Sequence, residues 1–259
     1  MDKTNGTKTT KEMFKLSQAN ILERKADLSN IPEGKKLINT INAYSYNMAL
    51  KDELFAEALN NGDALIPDGG SIVWTCHLIK SLSNPQERCA GWDLFAYEMN
   101  KLNTEKKTPV EGRTRPVVMF LGSSENVLAL IRKNAAKEYP NLDVVTYSPP
   151  YKPEFSEEDS KAMVDAINAA NPDLMWIGMT APKQEKWTFS HWKEMNIHCH
   201  VGTVGAVFDF FAGTVKRAPE WMQNSGLEWL YRLIQQPKRM WRRYLIGNVE
   251  YIYNIIKYE

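Results

Sequence analysis

The sequence predicts an α/β fold built on a parallel, Rossmann-like sheet, and three observations predict it. Short apolar runs of strand length alternate with longer stretches of helical periodicity through the middle of the chain. A hydrophobic content of 43% with 24% charged residues is that of a soluble globular protein. No internal repeat, low-complexity block or apolar run near the ~20 residues of a bilayer span interrupts the alternation. Strands that alternate with helices imply right-handed crossovers, and such sheets bind ligands at the carboxyl ends of their strands.

The first expected element is a strand in "KKLINTINAY", with polar residues at its tip. "YNMALKDELFAEALNN" carries helical periodicity. "GDALIPDGGSIVW" returns to a short apolar run broken by Gly69 and Gly70, and "IVWTCHLIKSL" is the helix that opens behind that pair. The polar stretch "MNKLNTEKKTPVEGRTR" reads as a long loop. "PVVMFLG" is then a buried strand and "ENVLALIRKNAAKEY" the helix after it. "LDVVTYS" is a strand, and Ser156 is placed to cap the helix "EEDSKAMVDAINAA". "DLMWIGM" is the next strand, a helix follows from about Lys183 to Met195, and "IHCHVGTVG" is another strand.

A chain of 259 residues can bury a full core as one large domain, or as a domain with an appendage. The composition divides it into a polar, loosely ordered extension (1–30), an α/β domain (31–215) and a helical appendage (216–259). The extension has no apolar core of signal-peptide type. A net charge of +1 removes any global pull towards nucleic acid or membrane, so such a pull must be local. Cys76, Cys89 and Cys199 show no CxxC spacing, which argues against a disulfide framework or structural zinc and for a reducing cytoplasm. The appendage is where charge gathers. From Lys216 to Arg243 there are seven Lys or Arg against two Glu, with three of the eight tryptophans. Basic residues beside Trp229, Trp241 and Tyr244 suit a membrane interface; the alternative is a packed helix with a solvated basic face.

Several strand tips carry candidate chemistry. "FLGSSENV" puts Gly122 between strand and helix, where backbone N–H groups can hold a phosphate, although neither GxGxxG nor a Walker lysine is present. "IPDGGS" places Asp68 before two glycines, which is first a turn signal and also a position for a general base. Asn39, Thr40 and Asn42 offer sugar-hydroxyl partners at another tip. Asp209, read as lying in the first turns of a helix, either pairs with the helix dipole or accepts hydrogen bonds from a base or a sugar. In "GMTAPKQEKW", an amine, an amide and a carboxylate stand where a strand hands over to a helix. Gln184 reads as the direct contact, Lys183 as a phosphate partner and Glu185 as a helix-start residue. The four histidines show no ligand spacing and no Asp-x-Asp pair occurs, so metal-independent chemistry with no cofactor is expected.

Together the blocks "INTINAY", "ALNNGDALIPDGGSIVW", "RCAGWDLF", "GMTAPKQEKW", "VGTVGAVFDFFAGTVKRAPEWMQ" and "GLEWLYRLIQQPKRMWRRYL" resemble, in order, the WecG/TagA/CpsF family of bacterial glycosyltransferases. The resemblance runs from about Leu37 to Leu245. It implies an inverting, metal-independent transfer from a UDP-sugar to a polyprenyl-diphosphate-linked sugar. The transfer would occur at the inner face of the cytoplasmic membrane. N-acetylmannosamine or its uronic acid is the implied sugar, and lipid-linked N-acetylglucosamine the implied acceptor. Residue by residue, it implies Asp68 as the base, Thr40 in the same pocket, Gln184 in the active site and Asp209 on uracil. Arg232, Arg239 and Arg242 correspond to arginines with which the appendage completes the site. Where relatives carry Gly-Tyr-Phe, this chain has "SPPYKPEF", and Tyr151 is placed to fill the aromatic position. Transfer of another hexose on the same fold, or a non-catalytic membrane scaffold, are the alternatives. A nucleic-acid partner is not expected, and self-association is compatible with an appendage that must reach a membrane.

Overall fold

The computed structural model describes residues 13–105 and 113–259, apart from the side chains of Asn224 and Arg239. Six apolar runs become strands: β1 (Lys36–Ile41), β2 (Ala64–Pro67), β3 (Val117–Gly122), β4 (Asp143–Tyr147), β5 (Leu174–Gly178) and β6 (His200–Thr203). All pair in parallel, in the order β2-β1-β6-β5-β3-β4. Every residue of β3 and β5 is buried, because both faces of an inner parallel strand are covered, and so these strands read as unbroken apolar runs. β4, at the edge, is partly exposed along its length.

The helices that follow are α1 (Ala43–Ala49), α2 (Glu53–Asn60), α3 (Gly70–Ile79), α4 (Gly91–Thr104), α5 (Glu125–Glu138), α6 (Glu157–Ala170), α7 (Lys183–Ser190) and α8 (Gly205–Ala212). Ser156 caps α6 as expected, accepting from the Asp159 N–H at 3.1 Å. The tail is helical throughout: α9 (Glu220–Asn224), α10 (Glu228–Gln235), α11 (Pro237–Trp241), a π-helical turn over Arg242–Ile246, and α12 (Gly247–Tyr258). Among the described residues, no helix is long and apolar enough to cross a membrane.

Three apolar clusters hold the layers together. Phe95, Phe120, Trp176, Phe208 and Phe211 fill the space between the sheet and α4, α5 and α8. Met119, Leu121, Met175 and Ile177 pack on the opposite face against Met163 and Ile167 of α6 and Trp187 of α7. The third cluster sits at the β1–β2 edge and joins chain segments distant in sequence: Phe14 and Leu16, Tyr46 and Phe55, Ile72, and Tyr251 with Ile255. Each such side chain contributes about 1.5–3 kcal/mol by leaving water.

That third cluster corrects one expectation and bears on another. The segment from Met13 to Asn30 is not loosely ordered: Phe14, Leu16 and Ile21 are buried, and Ile21 forms a parallel bridge to Leu65 at the sheet edge. Its apolar residues are too irregularly spaced to announce an element, yet Phe14, Leu16, Ala19, Ile21 and Leu28 each find a gap in the tertiary structure. Residues 1–12 lie outside the described residues. Of the two readings of the tail, packing holds for one stripe of α12, which lies on α1 and whose Tyr251 hydroxyl donates to Thr75 Oγ1 at 2.8 Å. The expected long loop begins later than read, because α4 continues to Thr104; residues 106–112 are outside the described residues. The helix after β5 stops at Ser190 and gives way to a 3₁₀ turn over Trp192–Glu194.

Candidate active site

In an all-parallel sheet every strand ends on the same side, so the tips of β1, β2, β3, β5 and β6 form one edge. The chain leaves β1 for β2 at one margin and β3 for β4 at the other, which opens the crevice between them.

Asp68 stands at the tip of β2, its N–H donating to the Ile41 carbonyl at 2.8 Å, which ties it to the end of β1. Gly69 behind it has φ +154°, a conformation only glycine adopts without strain, and this lets the chain turn at once into α3. Burial raises the pKa of the Asp68 carboxyl, Arg88 pulls it back, Glu228 adds to the rise, and Arg232 and Arg243 oppose it. Since 31% of the side chain remains open, crowding shifts the group without sealing it off. Arg88 lies between two acids, 3.6 Å from Asp68 Oδ1 and 2.5 Å from Glu228 Oε2. Burial opposes its charge, but Asp68 and Glu228 together hold its pKa above the ordinary guanidinium value. Because Glu228 belongs to α10, this pair pins the tail over the crevice.

The tail also delivers arginines. Arg232 lies over the Phe210 ring of α8 at 5.5 Å, and Arg243 over the Tyr44 ring of α1 at 4.7 Å. Burial lowers the pKa of Arg243, and its Nε is shut off from solvent with no hydrogen-bond partner. Arg242 points elsewhere: it is exposed and stacks on Trp241 at 5.2 Å. Of the two adjacent arginines only Arg243 turns inward, because neighbouring residues of a helical turn face different directions. The side chain of Arg239 is outside the described residues.

The other expected residues lie at different depths along the strand ends. Asn39 is fully buried on the far face of β1, donating to the Ala58 carbonyl at 2.9 Å and accepting from Thr203 Oγ1 at 2.8 Å; it is a core amide. Asn42 spends its carbonyl oxygen as the N-cap of α1, accepting from Tyr44 and Ser45 N–H groups. Thr40, with the opposite side-chain direction to Asn39, is half-buried at the β1 tip beside Ile66. Gly122 has φ +127° and approaches Gly178 so closely that a Cβ would lie 2.3 Å from its carbonyl oxygen, a packing reason for glycine. Tyr151 is fully exposed on the loop after β4. Lys183 lies 3.5 Å from the Phe155 ring and donates to the Lys152 carbonyl, so its ammonium is engaged by that same loop. Asp209 is the fifth of eight residues in α8, within its first two turns, and is half-buried with Thr214 Oγ1 3.4 Å from its carboxylate.

Gln184 is not an open contact either. It is 4% exposed, its Oε1 accepts from the Met179 N–H at 3.0 Å, and its Nε2 donates to Glu185 Oε1 at 2.8 Å. Glu185 is buried, and burial pushes its carboxyl up to about 7, against the hydrogen bond from Gln184 and the charge of Arg243. Sequence reasoning assigned no role to Arg88 or Glu228 and took Glu185 for a helix starter. Arg88 opens the block "RCAGWDLF", but nothing in its spacing marks it as a partner of a carboxylate twenty residues earlier. Only its arrival beside Asp68 does.

Over 223 residues the chain is 30% identical to an N-acetylglucosaminyldiphosphoundecaprenol N-acetyl-beta-D-mannosaminyltransferase of Bacillus subtilis, covering 86% of this chain and 80% of the relative. It is 31% identical over 212 residues to a protein of the same name from Bacillus spizizenii, covering 82% and 75%. The description "Glycosyl transferase WecG/TagA/CpsF family" matches residues 10–259, reaching further at both ends than the motifs alone, and the chain therefore belongs to that family of glycosyltransferases.

Proposed function

We propose that this glycosyltransferase moves N-acetylmannosamine from a UDP-linked donor to N-acetylglucosaminyl-diphosphoundecaprenol, with inversion and without a metal ion. The observation that carries the reading is Asp68 at a strand tip among Arg88, Arg232 and Arg243, three cations from separate parts of the chain. The names of the two Bacillus relatives support the sugar and the acceptor.

In a single displacement the acceptor hydroxyl oxygen attacks the anomeric carbon, and the bond to UDP breaks with its electron pair going to the diphosphate. Asp68 takes the hydroxyl proton, and its raised pKa makes it a stronger acceptor than an ordinary carboxylate. The arginines take up the charge that develops on the leaving diphosphate, since guanidinium forks match phosphate oxygens. Thr40 lines the same crevice, and the Asp209 carboxylate accepts from the N–H of the uracil. The acceptor's lipid brings the enzyme to the inner face of the cytoplasmic membrane. α12 supports that placement with an outward face of Val249, Ile252, Tyr253 and Ile256, continued by Trp74 and Leu78 of α3.

Incubation with UDP-N-acetylmannosamine and a short-chain polyprenyl-diphosphate-linked N-acetylglucosamine should release UDP and extend the acceptor, in the presence of excess EDTA. Asp68→Asn should lower turnover by ~10²–10⁴-fold while UDP binding persists. An active Asn variant would remove Asp68 as the base. Loss of activity with EDTA, regained with magnesium or manganese, would refute the metal-free scheme, and preference for UDP-glucose would change the sugar.

A further inference from the structure

The scheme above leaves Glu185 without a task, although its surroundings are unlike those of an ordinary helix residue. It is 2% exposed in the first turn of α7, with Oε1 accepting from Gln184 and Oε2 shut off from solvent without a partner. A buried carboxyl with an unsatisfied oxygen is costly, and packing alone would be better served by an apolar side chain. What the carboxyl does hold is Gln184. The Gln184 Oε1 accepts from Met179 at the end of β5, and Gly205 at the start of α8 comes so near that a Cβ there would lie 2.9 Å from that oxygen. One hydrogen-bonded chain therefore joins the tip of β5 to the first turn of α7, with the start of α8 packed against it.

We propose that Glu185 is a positioning residue for the transfer, whose buried carboxyl fixes the orientation of the Gln184 amide between Met179 and Gly205. An acceptor at Glu185 dictates which end of the amide is nitrogen, so Oε1 must face the Met179 N–H and the second Nε2 hydrogen is the only donor left over. It thereby sets the shape of the crevice wall formed by residues 178–182. The inference rests on the reading of this sheet edge as the donor site.

The test compares Gln184→Ala, Glu185→Ala, the double variant and Glu185→Gln in the full chain. Glu185→Ala should lower kcat by about 10–100-fold, the cost of a misplacement on the order of 1 Å, with the KM for acceptor little changed. The double variant should be no slower than Gln184→Ala, because two residues acting as one unit are not additive. Glu185→Gln should recover most of the turnover, since its amide oxygen can accept the same hydrogen bond. Losses that add in the double variant, or wild-type kcat in Glu185→Ala, would overturn the proposal. Amide exchange at Met179 gives a readout free of turnover: faster in Glu185→Ala and restored in Glu185→Gln supports the proposal, and no change refutes it. If the unmodified protein turns over no UDP-sugar, the donor-site reading fails, while the exchange result still decides whether Glu185 holds Gln184.

Discussion

Glu185 shows how one side chain can be poor for stability and still have a use. Its carboxyl titrates near an ordinary glutamate value once unfolded but at about 7 in the folded protein. Between those values the folded state binds the proton more tightly than the unfolded chain, so this group favours folding at low pH and loses that contribution as pH rises through about 7. The groups around it do not cancel the effect: Lys186 is paired with Asp52 of α2, Lys183 lies on Phe155, and Arg243 opposes the rise only in part. Glu185→Gln should therefore gain stability relative to the native protein, by roughly 3 kcal/mol at pH 8 and much less at pH 5. Denaturant unfolding at the two pH values measures this directly. A difference independent of pH would mean that the carboxyl does not titrate as burial predicts.

At the scale of elements, the tail divides its work between two sides. Inward, Glu228 of α10 meets Arg88 while Arg232 and Arg243 lie against Phe210 and Tyr44. Outward, α12 presents Val249, Ile252, Tyr253 and Ile256 at i, i+3, i+4 and i+7, and Ile256 is 81% exposed. The opposite stripe of the same helix, with Tyr251 and Ile255, is in the core. A helix apolar on two faces needs two partners, and one of them is the protein. Replacing Ile252 and Ile256 by glutamate should leave folding nearly unchanged, because both are exposed. It should weaken binding to anionic vesicles by at least ~10-fold, given about 1.5–3 kcal/mol for each side chain that would have left water. Turnover on a soluble short-chain acceptor should persist. Co-sedimentation with vesicles that does not change would move the membrane contact off this face.

At the scale of the molecule, the two ends of the described chain are fastened to each other. The Glu259 carboxylate accepts from the N–H groups of Leu16 and Ser17 at 2.6 and 3.0 Å and from the Tyr46 hydroxyl at 2.9 Å. Burial and then Glu259 raise the pKa of Tyr46, which keeps it a hydrogen-bond donor. Three donors would lose their acceptor in Glu259→Ala, so a loss of about 1–3 kcal/mol is expected. The midpoint of thermal unfolding should fall by roughly 2–4 °C for each kcal/mol. Removal of the tail after about Asn224 should cost more, since Tyr251 and Ile255 leave the cluster that holds Phe14 and Tyr46. An unchanged melting midpoint in either variant would show that this closure adds nothing to stability.

How much of this was legible beforehand depends on whether a feature is local. Apolar runs and helical periods are written in neighbouring residues, so the six strands, their parallel pairing and the Ser156 cap of α6 followed from the sequence. The position of Asp68 was legible too, because a carboxylate between an apolar run and Gly69-Gly70 can be seen in six letters. Direction and depth were not legible. Asn39 and Thr40 are adjacent, and the pleat alone sends one into the core and leaves the other at the crevice. Arg242 and Arg243 are adjacent, and helical rotation sends only Arg243 inward. Arg88, Glu228 and Glu185 acquire their chemistry from what folding brings beside them: Asp68 for the first, Arg88 for the second, and for Glu185 a site without water. Residue types and spacing determined the scaffold and the carboxylate at its edge. Only the tertiary structure decided which charges meet there, because charge, burial and distance are properties of neighbours in space.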